Sequence, residues 1–109
     1  MVIRMKMTNR ERRDAQLAYI SDDSVFEEQI VCRKLLQKLN FMDRSDFDGI
    51  GQIVKELLGK SEGAFINPPF YCDYGKHIEV GKNFFANYNC TLLDVARIKI
   101  GDNCQMAPN

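Results

Sequence analysis

Apolar residues in the second half of the chain return at a fixed distance. The stretch Ile78-Glu79-Val80-Gly81-Lys82-Asn83 comes back twenty residues later as Ile98-Lys99-Ile100-Gly101-Asp102-Asn103. Between the copies, small or apolar residues fall at every sixth position: Val80, Ala86, Leu92 and Ile98. A six-residue period that closes after three hexads is the pattern of a β-helix, in which each hexad forms one flat face of a triangular coil. A single coil cannot bury its own inner side chains, so the repeat implies stacking. Residues twenty apart should then lie above one another: Ile66 with Ala86 and Met106, Phe70 with Cys90, Cys72 with Leu92, Ile78 with Ile98, Val80 with Ile100, and Phe84 with Cys104. Gly81 with Gly101 and Asn83 with Asn103 mark the corners, because Gly and Asn tolerate the positive φ that sharp corners require. Twenty residues are three hexads plus two, which places a two-residue extension at one corner. An ordinary antiparallel sheet would alternate with period two over whole strands and fits less well.

The first sixty residues follow a different rhythm. Thr8-Asn9-Arg10-Glu11-Arg12-Arg13 leads into Ala15, Leu17 and Ala18 as a short charged helix that stops near Ser21-Asp22-Asp23. A second helix starts from a cap within Asp22, Asp23 and Ser24 and places Phe26, Ile30, Val31, Leu35, Leu36 and Leu39 at helical spacing, with Asn40 as terminator. A third opens on Ser45-Asp46-Phe47-Asp48, which has the Ser-x-x-acid form of a capping box. It carries Ile50, Ile53, Val54, Leu57 and Leu58 on one face and ends at Gly59. The chain therefore divides into a helical segment, 1–60, and the start of a β-helix, 61–109, in which Pro68-Pro69 suits a corner or the first, uncapped coil. Covering the first coil accounts for most of the helical residues.

Charge narrows the partners. Fifteen Lys and Arg balance fifteen Asp and Glu, which argues against nucleic acid or an anionic membrane surface. No apolar run is long enough to span a bilayer, and Met1-Val2-Ile3-Arg4 is not a secretory start. Cys32, Cys72, Cys90 and Cys104 form no CxxC pair and have no histidine at zinc spacing, so no metal is expected. Three of them sit on inward or near-inward rungs, where Cys acts as a small hydrophobe, and the reading is reduced, buried and cytoplasmic. The sequence given stops at Met106-Ala107-Pro108-Asn109, on the first face of a new coil, so further coils are expected in a longer protein.

Residues 67–75, 81–94 and 100–109, including Asn67-Pro68-Pro69-Phe70-Tyr71-Cys72-Asp73-Tyr74-Gly75 and Ala107-Pro108-Asn109, resemble the maltose and galactoside O-acetyltransferases. The helical region resembles that family's N-terminal maltose acetyltransferase segment. The resemblance implies a left-handed parallel β-helix (hexapeptide repeat) and a homotrimer with sites between subunits. It also implies transfer of acetyl from acetyl-CoA, as co-substrate, to a sugar hydroxyl. In that family a histidine takes the acceptor proton, because a sugar hydroxyl is a weak nucleophile at neutral pH. The family position of that histidine lies beyond Asn109. The lone histidine, His77, is expected on the surface of a coil corner, and the 109 residues alone are expected to be inactive.

By resemblance, Asn87 positions the acceptor and supports the transition state; a corner asparagine bonding its own backbone is the alternative, unless Asn89 fills that place. Asp73, Phe85 and Asp94 match acceptor-contacting positions. Asp73 could equally cap the turn into Tyr74-Gly75, and Phe85 could be a packing aromatic. Val95 stands where some relatives carry a second acid beside Asp94. Asp22 or Asp23 matches an acid that reaches the sugar, with helix capping or Ile20 as alternatives. A β-helix scaffold without activity, or an acyltransferase acting on a non-sugar acceptor, are the competing readings.

Overall fold

The computed structural model describes residues 9–15 and 23–109. Three helices come first: α1 (Asn9–Asp14), α2 (Asp23–Asn40) and α3 (Phe47–Leu57). Eight short strands follow: β1 (Lys60–Glu62), β2 (Phe65–Ile66), β3 (Phe70–Cys72), β4 (Ile78–Lys82), β5 (Phe85–Ala86), β6 (Cys90–Leu92), β7 (Ile98–Ile100) and β8 (Gln105–Met106). They form three sheets ordered β1-β4-β7 (sheet A), β2-β5-β8 (sheet B) and β3-β6 (sheet C), every pairing parallel. Each of the first two circuits thus adds one strand to each wall, and the third adds β7 and β8 to sheets A and B.

Apart from the start of β1, where Lys60 pairs with Glu79 before the register shifts to Glu62 with Lys82, the register is the one the twenty-residue repeat requires. Ile66 faces Ala86 and Ala86 faces Met106; Phe70 faces Cys90; Cys72 faces Leu92; Ile78 faces Ile98; Val80 faces Ile100. The inner residues Ile66, Phe70, Ile78, Val80, Phe84 and Ala86 are buried, whereas Ile98, Ile100, Cys104 and Met106 on the last circuit are half-buried.

The corner chemistry follows expectation at Asn83 and Asn103 and departs from it at Gly81. Positive φ falls at Gly63 (67°), Asn83 (60°) and Asn103 (57°), a stack at the corner between sheets A and B, again at Asn89 (62°) between sheets B and C, and at Gly75 (75°) between sheets C and A. Gly81 lies inside β4 and serves close approach instead: a Cβ there would come 2.6 Å from the Asp102 amide nitrogen. Asn takes the left-handed conformation because its short amide bonds locally, and here Asn83 Nδ2 donates to Asn103 Oδ1 at 3.2 Å.

The helices lie on the first circuit, α2 against β3 and α3 against β1 and β2. α3 buries Ile50, Val54 and Leu57 with Leu58 at its C-cap, as its pattern predicts. Its N-cap is Asp46, which accepts from the Gly49 amide at 3.0 Å, rather than Ser45. Ser45 is taken by the preceding turn, where its hydroxyl donates to Asp43 Oδ1 at 2.7 Å, and Asp is as good a cap as Ser. α2 is rotated from the expected stripe: Val25, Cys32, Leu36 and Leu39 are buried, while Phe26 (48%), Ile30 (50%) and Val31 (56%) are exposed. Its surface offers two overlapping apolar stripes, and docking selects the one that brings Cys32 to Cys72 and Asn40 to Phe70. Asn40 accepts from the Phe70 amide and donates to the Phe70 carbonyl, both at 2.9 Å, replacing the ladder partners that the first circuit lacks on that side. Expectations on Leu17, Ala18, Ile20 and Asp22 lie outside the described residues.

Candidate functional site

Two groups of polar side chains stand out, at different corners. The first occupies the corner between sheets C and A, where the twenty-residue period carries its extension. Asp94, 0% exposed, accepts from the Asp73 and Tyr74 amides through Oδ1, both at 2.9 Å. Of the carboxylate expected to touch an acceptor, Oδ1 is taken by the backbone of the neighbouring circuit. Its Oδ2 is buried with no bond partner among the described residues.

His77 is 5% exposed, a departure from the surface histidine that the sequence suggests. Its Nδ1 lies 2.7 Å from the Asp94 carbonyl oxygen. A carbonyl only accepts, so Nδ1 carries the proton, and in the neutral ring Nε2 accepts from Arg13 Nη2 at 3.3 Å. Both ring nitrogens are therefore engaged.

Arg13 is the other residue that sequence reading passed over, hidden in a charged run with the appearance of a solvated face. It is buried, donates to Glu28 at 2.7 Å and to Asp14 at 3.0 and 3.1 Å, and its guanidinium lies 4.4 Å from the centroid of the Tyr74 ring. Burial works against its charge, but the bonds to Glu28, Tyr74 and Asp14 outweigh burial and hold it protonated above the ordinary arginine range. Arg13, Asp14, Glu28, Tyr74, His77 and Arg97 line much of a cavity of about 340 Å³ beside this corner. Asp73, half-buried, has its carboxyl pushed above the usual aspartate range by burial and then by the charge of Asp94.

The second group lies on sheet B and the corner that follows it. Asn87 Oδ1 accepts from the Tyr88 amide at 2.8 Å and sits 3.5 Å from Asn67 Nδ2, which leaves the Asn87 Nδ2 donor without a partner among the described residues. The corner conformation belongs to Asn89, not Asn87. Phe85, two residues earlier on the same outward side of the strand, stacks on Phe65 with centroids 6.2 Å apart, and Phe47 continues the row at 5.8 Å from Phe65. The fold thus joins Asp73 with Asp94, and places Phe85 beside Asn87. No bond links the two pairs among the described residues, and β6 lies between Asn87 and Asp94 in the chain.

Among the described residues no group of three or more His, Cys, Asp or Glu side chains is placed to hold a metal ion. No helix among them is long and apolar enough to cross a membrane.

No protein-family model matches the chain. Individual proteins do. The chain is 34% identical to the galactoside O-acetyltransferase of Escherichia coli over 84 residues, 76% of this chain and 41% of that protein. Its structure superposes on a maltose O-acetyltransferase from Clostridium difficile with a TM-score of 0.92 and 36% identity, covering 94% of this chain and 56% of the other. It superposes on a galactoside acetyltransferase solved in complex with coenzyme A with a TM-score of 0.88 and 31% identity, covering 95% of this chain and 53% of that one. The chain spans about half the length of the relatives it matches.

Proposed function

The chain belongs to the hexapeptide-repeat sugar acetyltransferases, and from that premise we propose that the protein carrying it transfers acetyl from acetyl-CoA to a sugar hydroxyl. The observation that carries the reading is the superposition of nearly the whole chain, helices and coils together, on two enzymes of this kind. We place the helical segment at 1–60 and the β-helix from 61 onward, give the coil a left hand, and assemble the protein as a cytoplasmic homotrimer with sites between subunits.

Within these residues Asn87 is the centre of the proposal. Its free Nδ2 points a donor out of the coil, where it orients the acceptor and supports the tetrahedral oxyanion. Phe85 offers a ring face beside it, and Asp73 and an acid at Asp22 or Asp23 bind acceptor hydroxyls. Asp94 acts at one remove, fixing the backbone that carries Asp73. The proton-accepting base is a histidine outside the 109 residues, since His77 donates from one nitrogen and accepts at the other. These residues alone therefore have no transfer activity.

The test is coenzyme A release by the full-length protein supplied with acetyl-CoA and maltose, glucose or a galactoside in turn. Release that depends on a sugar supports the assignment. Release that no sugar stimulates, but that an amine acceptor does, replaces it with the non-sugar reading.

A further inference from the structure

Cys32 and Cys72 are forty residues apart in sequence, yet their sulfur atoms lie 3.5 Å from each other. Cys32 is on α2 and 1% exposed; Cys72 ends β3 and is half-buried, so the pair has one sheltered member and one that solvent reaches. Both are free thiols. Cys90 and Cys104 are arranged otherwise, with Cys90 Sγ directed at Met106 Sδ at 3.8 Å.

We propose that Cys32 and Cys72 form a reversible disulfide under peroxide, stapling the helical segment to the first coil. The sulfurs need approach by only about 1.5 Å to reach bonding distance. In the first step one thiol attacks hydrogen peroxide, an S–O bond forms, the O–O bond breaks and water leaves. In the second the other sulfur attacks that sulfenic sulfur, the S–O bond breaks, and a second water leaves as the S–S bond forms. Both thiol protons depart in the two waters, and two sulfurs are oxidised as one peroxide is reduced. The two thiols also share a contact in which either can donate, the Cys32 thiol donates to the Cys72 carbonyl oxygen at 3.7 Å, and pairing with burial pushes the Cys72 thiol up. The staple lies one residue from Asp73 and fixes α2 against the wall that carries it. A dithiol reductant reverses the bond.

The test uses the full-length protein without substitution. The reduced protein is titrated with hydrogen peroxide, alkylated with N-ethylmaleimide, digested without reductant and read by mass spectrometry. The expected result is a peptide pair linked through Cys32 and Cys72, lighter by two hydrogens, appearing before Cys90 or Cys104 loses its alkylation and vanishing with dithiothreitol. The oxidised protein should also melt several degrees higher than the reduced one, since the bond closes a long loop in the unfolded chain. The Cys72→Ser protein should show no such rise. The proposal is overturned if Cys32 and Cys72 stay alkylatable at doses that oxidise Cys90 or Cys104, or if either is found linked elsewhere while their own pair never forms.

Discussion

Two corners of the β-helix make the bend differently, one with the same backbone device in every circuit and one with side chains peculiar to a single circuit. Between sheets A and B the chain repeats itself: Gly63, Asn83 and Asn103 all take the left-handed conformation, and the amides of the two asparagines bond up the stack. Between sheets C and A nothing repeats. Twenty residues separate Tyr74 from Asp94, Gly75 from Val95 and His77 from Arg97, and no two of these match. There one left-handed residue, Gly75 (75°), turns the first circuit, and the bend is held in place by a buried carboxylate on two backbone amides and a buried histidine on a carbonyl, with Arg13 reaching in from α1. A corner made by backbone preference can be copied in every circuit. A corner made by side chains is specific to one circuit, and it is where the cavity and the raised carboxyl of Asp73 are found.

The comparison can be broken most forcefully at Asp94. Asp94→Ala removes both acceptor bonds and leaves the Asp73 and Tyr74 amides unpaired in a buried setting. Urea unfolding should show a loss of about 2–4 kcal/mol. Asp94→Asn keeps an acceptor oxygen and should cost less. A loss under about 0.5 kcal/mol for the alanine variant would mean that the corner holds without its carboxylate.

At the repeated corner the effect should be smaller and of another kind. Asn83→Ala puts a residue with no local amide bond at positive φ and should cost about 1–2 kcal/mol. Asn83→Gly should recover most of that, because glycine reaches the same φ without steric strain. If Gly is as damaging as Ala, the side-chain ladder rather than the backbone holds this corner, and the contrast between the corners collapses.

The smallest effect is electrostatic. Burial and Asp94 raise the Asp73 pKa in the folded state, so over the window just above the ordinary aspartate value the folded chain binds more protons than the unfolded one. Its contribution to stability is present below the unfolded pKa and is lost as pH rises through the folded value. The stability of wild type relative to Asp73→Asn should therefore decline as pH rises from the ordinary aspartate value through the raised, folded-state one. Thermal melts across that range showing a flat or rising difference would contradict the placement of Asp73 beside Asp94.

How much of this was legible depends on whether a residue answers to a period. The ladder from Ile66 to Met106 could be read because stacking forces apolar residues to recur at one spacing, and the β-strand registers follow it. The apolar face of α3 could be read for the same reason, its single stripe matching the helical repeat. α2 could not, because Phe26, Ile30 and Val31 are as apolar as the residues that dock, and only tertiary contact chooses between stripes. The cap of α3 was missed because Asp43 competes for Ser45. His77 and Arg13 left no signal: each is polar, falls in a polar run, and is buried only by a partner distant in sequence. Of the proposed site residues, Asn87 keeps a donor without a partner among the described residues, and Asp94 spends one carboxylate oxygen on the backbone while the other has no bond partner among them.

The central claim is that Asn87 presents its donor to an acceptor undergoing acetyl transfer. The most direct measurement is steady-state acetyl transfer by the full-length Asn87→Ala protein, with coenzyme A binding and a thermal melt on the same preparation. The account predicts a kcat lower by on the order of a hundredfold or more, with coenzyme A affinity and melting temperature close to wild type. A variant that melts lower but transfers acetyl at the wild-type rate would contradict it.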